Sequence, residues 1–138
     1  ENRSATAGGA AGPAMIGGLD HINVETTDLD SSIRFYEQVL GLTVGWRPSF
    51  DVPGAWMYVN DDPIVHLVLR DEINDGPTGA IHHVALKASG YAEARRRLEA
   101  EGLTFDVKVV PDLSVTQVFV DDPNGVKLEL NFYEDSVS

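Results

Sequence analysis

Apolar and polar residues begin to alternate just after Leu19. His21-Ile22-Asn23-Val24-Glu25 has the period of two that marks a half-buried strand. Thr27-Asp28-Leu29-Asp30 predicts a helix start, with a capping hydroxyl and a carboxylate three residues on. Leu29, Ile33, Tyr36 and Leu40 then recur at helical spacing, and Gly41 is placed as a C-terminal cap. Strands are predicted at Thr43–Arg47, Trp56–Asn60 and Ile64–Arg70, the last two joined by the turn Asn60-Asp61-Asp62-Pro63.

The pattern then repeats. Ile81-His82-His83-Val84-Ala85-Leu86-Lys87 predicts a strand, and Tyr91 to Glu101 a helix with Ala94 and Leu98 inward, ended by Gly102. Gly102-Leu103-Thr104 matches Gly41-Leu42-Thr43. Strands at Phe105–Val110, Thr116–Val120 and Val126–Phe132 complete the unit, the last entered through Asp121-Asp122-Pro123-Asn124-Gly125. Val120-Asp121-Asp122-Pro123 echoes Asn60-Asp61-Asp62-Pro63. The chain is therefore expected to be a duplicated βαβββ unit, with module 1 at about residues 19–72 and module 2 at about 80–135. Residues 1–18, rich in Gly, Ala and Ser and without an apolar run, are expected to form a flexible arm or remnant outside the fold.

The duplication also locates chemistry. It sets His21 opposite His83, 62 residues on, and His66 opposite Glu129, 63 residues on. Each module thus carries one metal-ligand type on its first strand and one on its last. Ile22 and Val24 form the apolar face of the first strand, so His21, Asn23 and Glu25 point the other way. By the same phase Lys127, Glu129 and Asn131 oppose Val126, Leu128, Leu130 and Phe132, and His83 opposes Val84 and Leu86. With helices on the apolar face, all four candidates look to the concave side of the sheet. His82 has the opposite phase and is expected to point to the helix layer, as packing or in support of His83.

Composition narrows the chemistry. Of 138 residues, 22 are acidic and 10 basic, a net charge of −12 that argues against nucleic acid and anionic lipid as partners. The absence of cysteine excludes disulfides, thiolate metal sites and a thiol nucleophile, so any metal is held by His, Asp, Glu or carbonyl oxygen. No apolar run has the ~18 residues of a membrane span. The cytoplasm is the expected location. Arg95-Arg96-Arg97, with Glu93, Glu99 and Glu101 nearby, is read as a solvated helix face laced by ion pairs.

Leu19-Asp20-His21-Ile22, Phe35-Tyr36 to Leu40-Gly41-Leu42, His82-His83-Val84-Ala85, and Asp122-Pro123-Asn124-Gly125 ahead of Leu128-Glu129-Leu130 carry a family resemblance. From Leu19 to Tyr133 the chain resembles the vicinal oxygen chelate superfamily: glyoxalase I, methylmalonyl-CoA epimerase, extradiol dioxygenases, fosfomycin-resistance enzymes and bleomycin-binding proteins. The resemblance implies an α+β fold in which two tandem βαβββ modules form a curved eight-stranded mixed sheet around a metal-binding cleft. It implies metal ligands at His21, His66, His83 and Glu129, the positions that the repeat gives independently. His66 departs from the pattern, since glyoxalase I-like members carry Glu there and epimerases Gln.

Three imidazoles and a carboxylate suit one divalent Fe, Ni, Zn, Co or Mn ion per site better than Ca or Mg. Such an ion would polarise a carbonyl chelated through adjacent oxygens, with Glu129 as the first candidate for the base and His66 as the second. Arg47, Trp56, Tyr58, Gln117 and Tyr133 are candidates to line the cleft and touch substrate. The leading expectation is a metal-dependent lyase or isomerase of glyoxalase or epimerase type acting on a small carbonyl compound. The alternatives are an Fe(II) extradiol-type dioxygenase, with His21, His83 and Glu129 as its triad, and a metal-free drug-binding protein. No basic cluster is evident for glutathione, nor a cationic pocket for a phosphonate. A homodimer is expected because small sheets leave edges to be covered, and the cleft closes either within one chain or between two.

Overall fold

The computed structural model describes residues 15–133. Fourteen residues of the expected arm, and the last five of the chain, lie outside the described residues; Met15 to Gly18 are exposed. The first unit comprises β1 (Ile22–Thr26), α1 (Leu29–Arg34), β2 (Thr43–Gly45), β3 (Gly54–Val59) and β4 (Asp62–Leu69). The second comprises β5 (Val84–Ala88), α2 (Tyr91–Ala100), β6 (Asp106–Val110), β7 (Val115–Asp121) and β8 (Lys127–Tyr133). The expected order of strand, helix and three strands thus occurs twice.

The eight strands form two hydrogen-bonded sheets of four rather than one of eight, in the orders β1-β4-β3-β2 and β5-β8-β7-β6. In each, the first strand runs parallel to the last, and the remaining pairs are antiparallel. The predicted alternation holds: Val24 and Thr26 are buried while Asn23 and Glu25 are exposed, and Leu128, Leu130 and Phe132 are buried on β8. Strands β1 and β5 begin one residue after His21 and His83, so both histidines stand at a strand entrance.

The first helix starts one residue later than its sequence suggests. Asp28, not Thr27, is the N-cap, its carboxylate accepting from the Ser31 N–H at 3.1 Å. The helix continues into a wider π turn over Phe35–Val39, where Phe35, Tyr36 and Val39 are buried. Gly41, at φ +76°, ends it as expected, and the Leu42 N–H returns to the Tyr36 carbonyl. The arginine-rich face of α2 is laced with ion pairs, Arg95 to Glu99, Arg96 to Glu93 and Arg97 to Glu93.

One apolar cluster unites both modules. It contains Val24, Met57, Val65 and Leu67 from the first sheet, Val118, Leu128, Leu130 and Phe132 from the second, and Phe35, Tyr36, Val39 and Leu98 from the helical segments. A buried polar chain reinforces the join. Tyr36 Oη donates to Asp122 at 2.8 Å, Asn124 Nδ2 donates to Ser32 Oγ at 2.9 Å, and Ser32 Oγ donates to Thr26 Oγ1 at 2.9 Å. Asp122 also accepts the N–H groups of Asn124 and Val126, so the Asp-Pro-Asn-Gly turn serves as a clamp on the first helix. Both sheets therefore turn their apolar faces to a common interior. Their polar faces lie on the outside.

Candidate metal-binding half-sites

In the first module the imidazole of His66 on β4 is sandwiched between two rings. It stacks on His21 with centroids 3.7 Å apart and on Trp56 at 4.0 Å, the planes tilted by 10° and 14°. Register explains this row: His66 lies beside Asn23 on β1 and beside Trp56 on β3. His21 Nδ1 is 2.5 Å from the Asp20 carboxylate, which fixes the ring and leaves Nε2 to carry the lone pair. His66 Nε2 donates to the Pro63 carbonyl at 3.0 Å, which leaves Nδ1 as its lone-pair nitrogen. Burial holds the His66 imidazole below its ordinary pKa of 6.5, and the neighbouring charge of His21 adds to the effect.

The second module repeats the arrangement with different chemistry. His83 Nε2 lies 3.2 Å from Glu129 Oε1, and Gln117 Nε2 donates to Glu129 Oε2 at 3.0 Å and to Asn131 at 3.2 Å. Glu129 is buried, with one oxygen held by an amide and the other by an imidazole. Phe119, beside Glu129 in register as Trp56 is beside His66, meets His83 edge-on at 6.5 Å. His82 does not turn into the helix layer. It is exposed, with its Nδ1 2.9 Å from Nδ1 of His83, a pairing in which one nitrogen must donate to the other.

The four candidate ligands thus come together as two pairs, His21 with His66 and His83 with Glu129. Among the described residues, no three His, Asp or Glu side chains are grouped closely enough to hold an ion. The donors suit a divalent transition ion in kind, and each module supplies two of them.

The substrate-facing candidates divide. Trp56 and Gln117 sit directly against His66 and Glu129. Arg47 lends its positive field to His66, but its Nη2 donates to the Val52 carbonyl at 3.0 Å and its Nε is buried without a protein acceptor. Tyr58 spends its hydroxyl on the Trp46 carbonyl at 2.6 Å. Tyr133 is half-exposed at the end of β8. Sequence reasoning passed over Trp46, Phe50 and Phe119, although Phe119 stands opposite Trp56 in the same 63-residue repeat that aligned the ligands.

A model of the Glyoxalase/Bleomycin resistance protein/Dioxygenase superfamily matches residues 18–130. The chain belongs to that superfamily. It is 27% identical over 129 residues to Glyoxylase I 4 of Arabidopsis thaliana, covering 88% of this chain and 74% of that protein. It is 30% identical over 121 residues to the lactoylglutathione lyase of Salmonella typhimurium, covering 81% and 90%. The fosfomycin resistance protein FosX of Listeria monocytogenes, solved as a mutant complexed with Mn(II) and 1S,2S-dihydroxypropylphosphonic acid, shares the fold. Its TM-score is 0.69 and its identity 15%, over 86% of this chain and 94% of that one. The relatives include enzymes, the lactoylglutathione lyase among them, and the FosX complex holds Mn(II). No helix among the described residues is long and apolar enough to cross a membrane.

Proposed function

We propose that this protein is a divalent-metal-dependent lyase or isomerase of the glyoxalase type, acting on a small carbonyl compound through two adjacent oxygens. The observation that carries the reading is the pairing of donors: His21 against His66 and His83 against Glu129, at repeat-equivalent places on the polar faces of two sheets. The resemblance to lyases of this family supports the reaction class. Because the two faces look away from a shared interior, the pairs of one chain belong to different clefts. A complete set, His21 and His66 from one copy with His83 and Glu129 from another, requires a homodimer.

A divalent ion bound by these groups would supply Lewis-acid polarisation of the substrate carbonyl. In this reading Glu129 would take the proton from the carbon beside that carbonyl and return it to its neighbour, with Gln117 orienting one carboxylate oxygen and His83 alongside the other. His66, neutral at pH 7, adds no positive charge to the donor set.

One observation favours a second reading. His66 is wedged between the His21 and Trp56 rings with its Nε2–H on Pro63; were its Nδ1 not to bind, His21, His83 and Glu129 would form the two-His, one-carboxylate set of an Fe(II) dioxygenase. Elemental mass spectrometry on protein prepared without chelator or nickel resin separates the two. Nickel, zinc, cobalt or manganese at about one ion per chain, lost in both His83→Ala and His66→Ala, supports the lyase reading. Iron kept by His66→Ala and lost by His83→Ala transfers the assignment to the dioxygenase. A chain that takes up no metal on reconstitution with any of these ions is a binding protein, and both enzyme readings fall.

A further inference from the structure

Beside the His21–His66 pair stands a wall of rings with no part in the ligand set. Trp56 lies flat on His66. Trp46, just beyond β2, meets Trp56 edge-on with centroids 6.0 Å apart, and Phe50 leans on Trp56 at 6.4 Å with an interplanar angle of 44°. Trp46 is 72% exposed and Phe50 54%, so the wall is open to solvent even though its inner member is anchored in the stack. The loop that carries it is held in place. Tyr58 Oη donates to the Trp46 carbonyl, the Tyr58 ring packs against Gly45 with no room for a side chain there, and the Arg47 guanidinium covers Phe50 at 4.8 Å.

Two exposed rings on a braced loop and the half-buried Trp56 of β3, against an imidazole stack, form a surface for another flat ring. Offset and edge-on ring pairs are favourable beyond the area that they bury. Charge points the same way. Arg47 is the cation of this wall, and it is turned inward onto Phe50 and Val52, while the chain as a whole carries a net charge of −12. An anionic substrate arm meets little attraction here.

We propose that the Trp46–Phe50–Trp56 wall is the specificity surface of the site and selects a neutral substrate whose adjacent oxygens are attached to a planar apolar group, as in an aryl-substituted 2-oxo or 2-hydroxy carbonyl compound. This rests on the functional reading above for the adjacent oxygens, while the ring preference stands on the wall alone.

The test uses a matched pair of neutral, vicinally oxygenated probes, 2-hydroxyacetophenone and hydroxyacetone, which differ by phenyl against methyl. Binding to the full chain is followed by NMR through the indole N–H signals, first with chelator and then with Ni(II). Metal-free protein should bind the phenyl compound at least about tenfold more tightly, and Trp46→Ala should remove that advantage while Trp46→Phe restores most of it. Trp46 is exposed, so these variants fold. Equal binding of the two probes, or a preference unchanged in Trp46→Ala, overturns the proposal. So does a Trp46→Ala variant that changes subunit mass rather than affinity, because the wall then belongs to a subunit contact. Addition of Ni(II) should tighten both probes alike. Failure of that step counts against the metal reading and leaves the ring preference to its own result.

Discussion

Tyr36 Oη and Asp122 Oδ2 meet at 2.8 Å across the boundary between the two modules, both buried. This bond ties the first helix to the β7–β8 turn, at the join where the apolar faces of the two sheets share one cluster. Tyr36→Phe should cost roughly 1–3 kcal/mol in denaturant unfolding, because Asp122 keeps its two backbone donors and loses only the phenol.

The same pair makes an alkaline prediction. Burial, with Asp122 alongside, raises the Tyr36 phenol well above its ordinary pKa of 10.0. The folded state therefore holds this proton where the unfolded chain releases it. Stability should fall as pH rises past about 10, and Tyr36→Phe should lack that component of the loss. Denaturant midpoints from pH 8 to 11 for the two proteins measure it.

The duplicated pattern made the fold legible. Two half-buried strands led by His21 and His83, two helices ended by glycines and two Asp-Asp-Pro turns fixed the element order, and strand phase named the four ligand candidates. Some of what stayed hidden depends on contacts distant in sequence. Tyr36 and Asp122 are 86 residues apart, and no local period encodes their bond. The Thr27 cap failed for a local reason: Thr27 and Asp28 are both capping types, and the Thr26 hydroxyl accepts the Asp28 N–H while the Asp28 carboxylate takes the Ser31 N–H. His82 fails the alternation rule because β5 begins only at Val84, so the phase of the strand does not reach back to it. The ring wall escaped notice because Trp46 and Phe50 lie in a loop, where no periodicity marks a face.

The His66 imidazole should titrate below 6.5 in metal-free protein, for burial and the facing His21 both disfavour its charge. Replacing His21 with Asn removes the second cause and should move the midpoint upward. Since the folded state resists this proton more than the unfolded chain does, the corresponding stability is present above pH 6.5 and is lost as pH falls below it. Histidine NMR titration of both proteins checks the shift and its sign.

Gln117→Leu should loosen metal binding by about 10–100-fold while leaving the fold intact, because it frees one Glu129 oxygen from the amide that orients it. Competition with a chromogenic chelator gives the affinity, and a thermal melt of the metal-free variant controls for folding.

Gly125 should tolerate alanine far less well than Gly102. Both have positive φ, +89° and +68°, but a Cβ on Gly125 would collide with the Asp75 carbonyl oxygen, whereas Gly102 faces open space. Gly102→Ala should cost about 1 kcal/mol and Gly125→Ala upward of about 3 kcal/mol, compared by urea unfolding.

If half-sites from two copies make one metal centre, subunit complementation will separate that arrangement from a site within one chain. A His21→Ala/His66→Ala chain and a His83→Ala/Glu129→Gln chain are each expected to bind no metal. Unfolded together and refolded in equal amounts, they should form mixed dimers with one intact set, holding about a quarter of the metal bound by the unaltered protein. A mixture that binds no more metal than its two components would contradict the shared site.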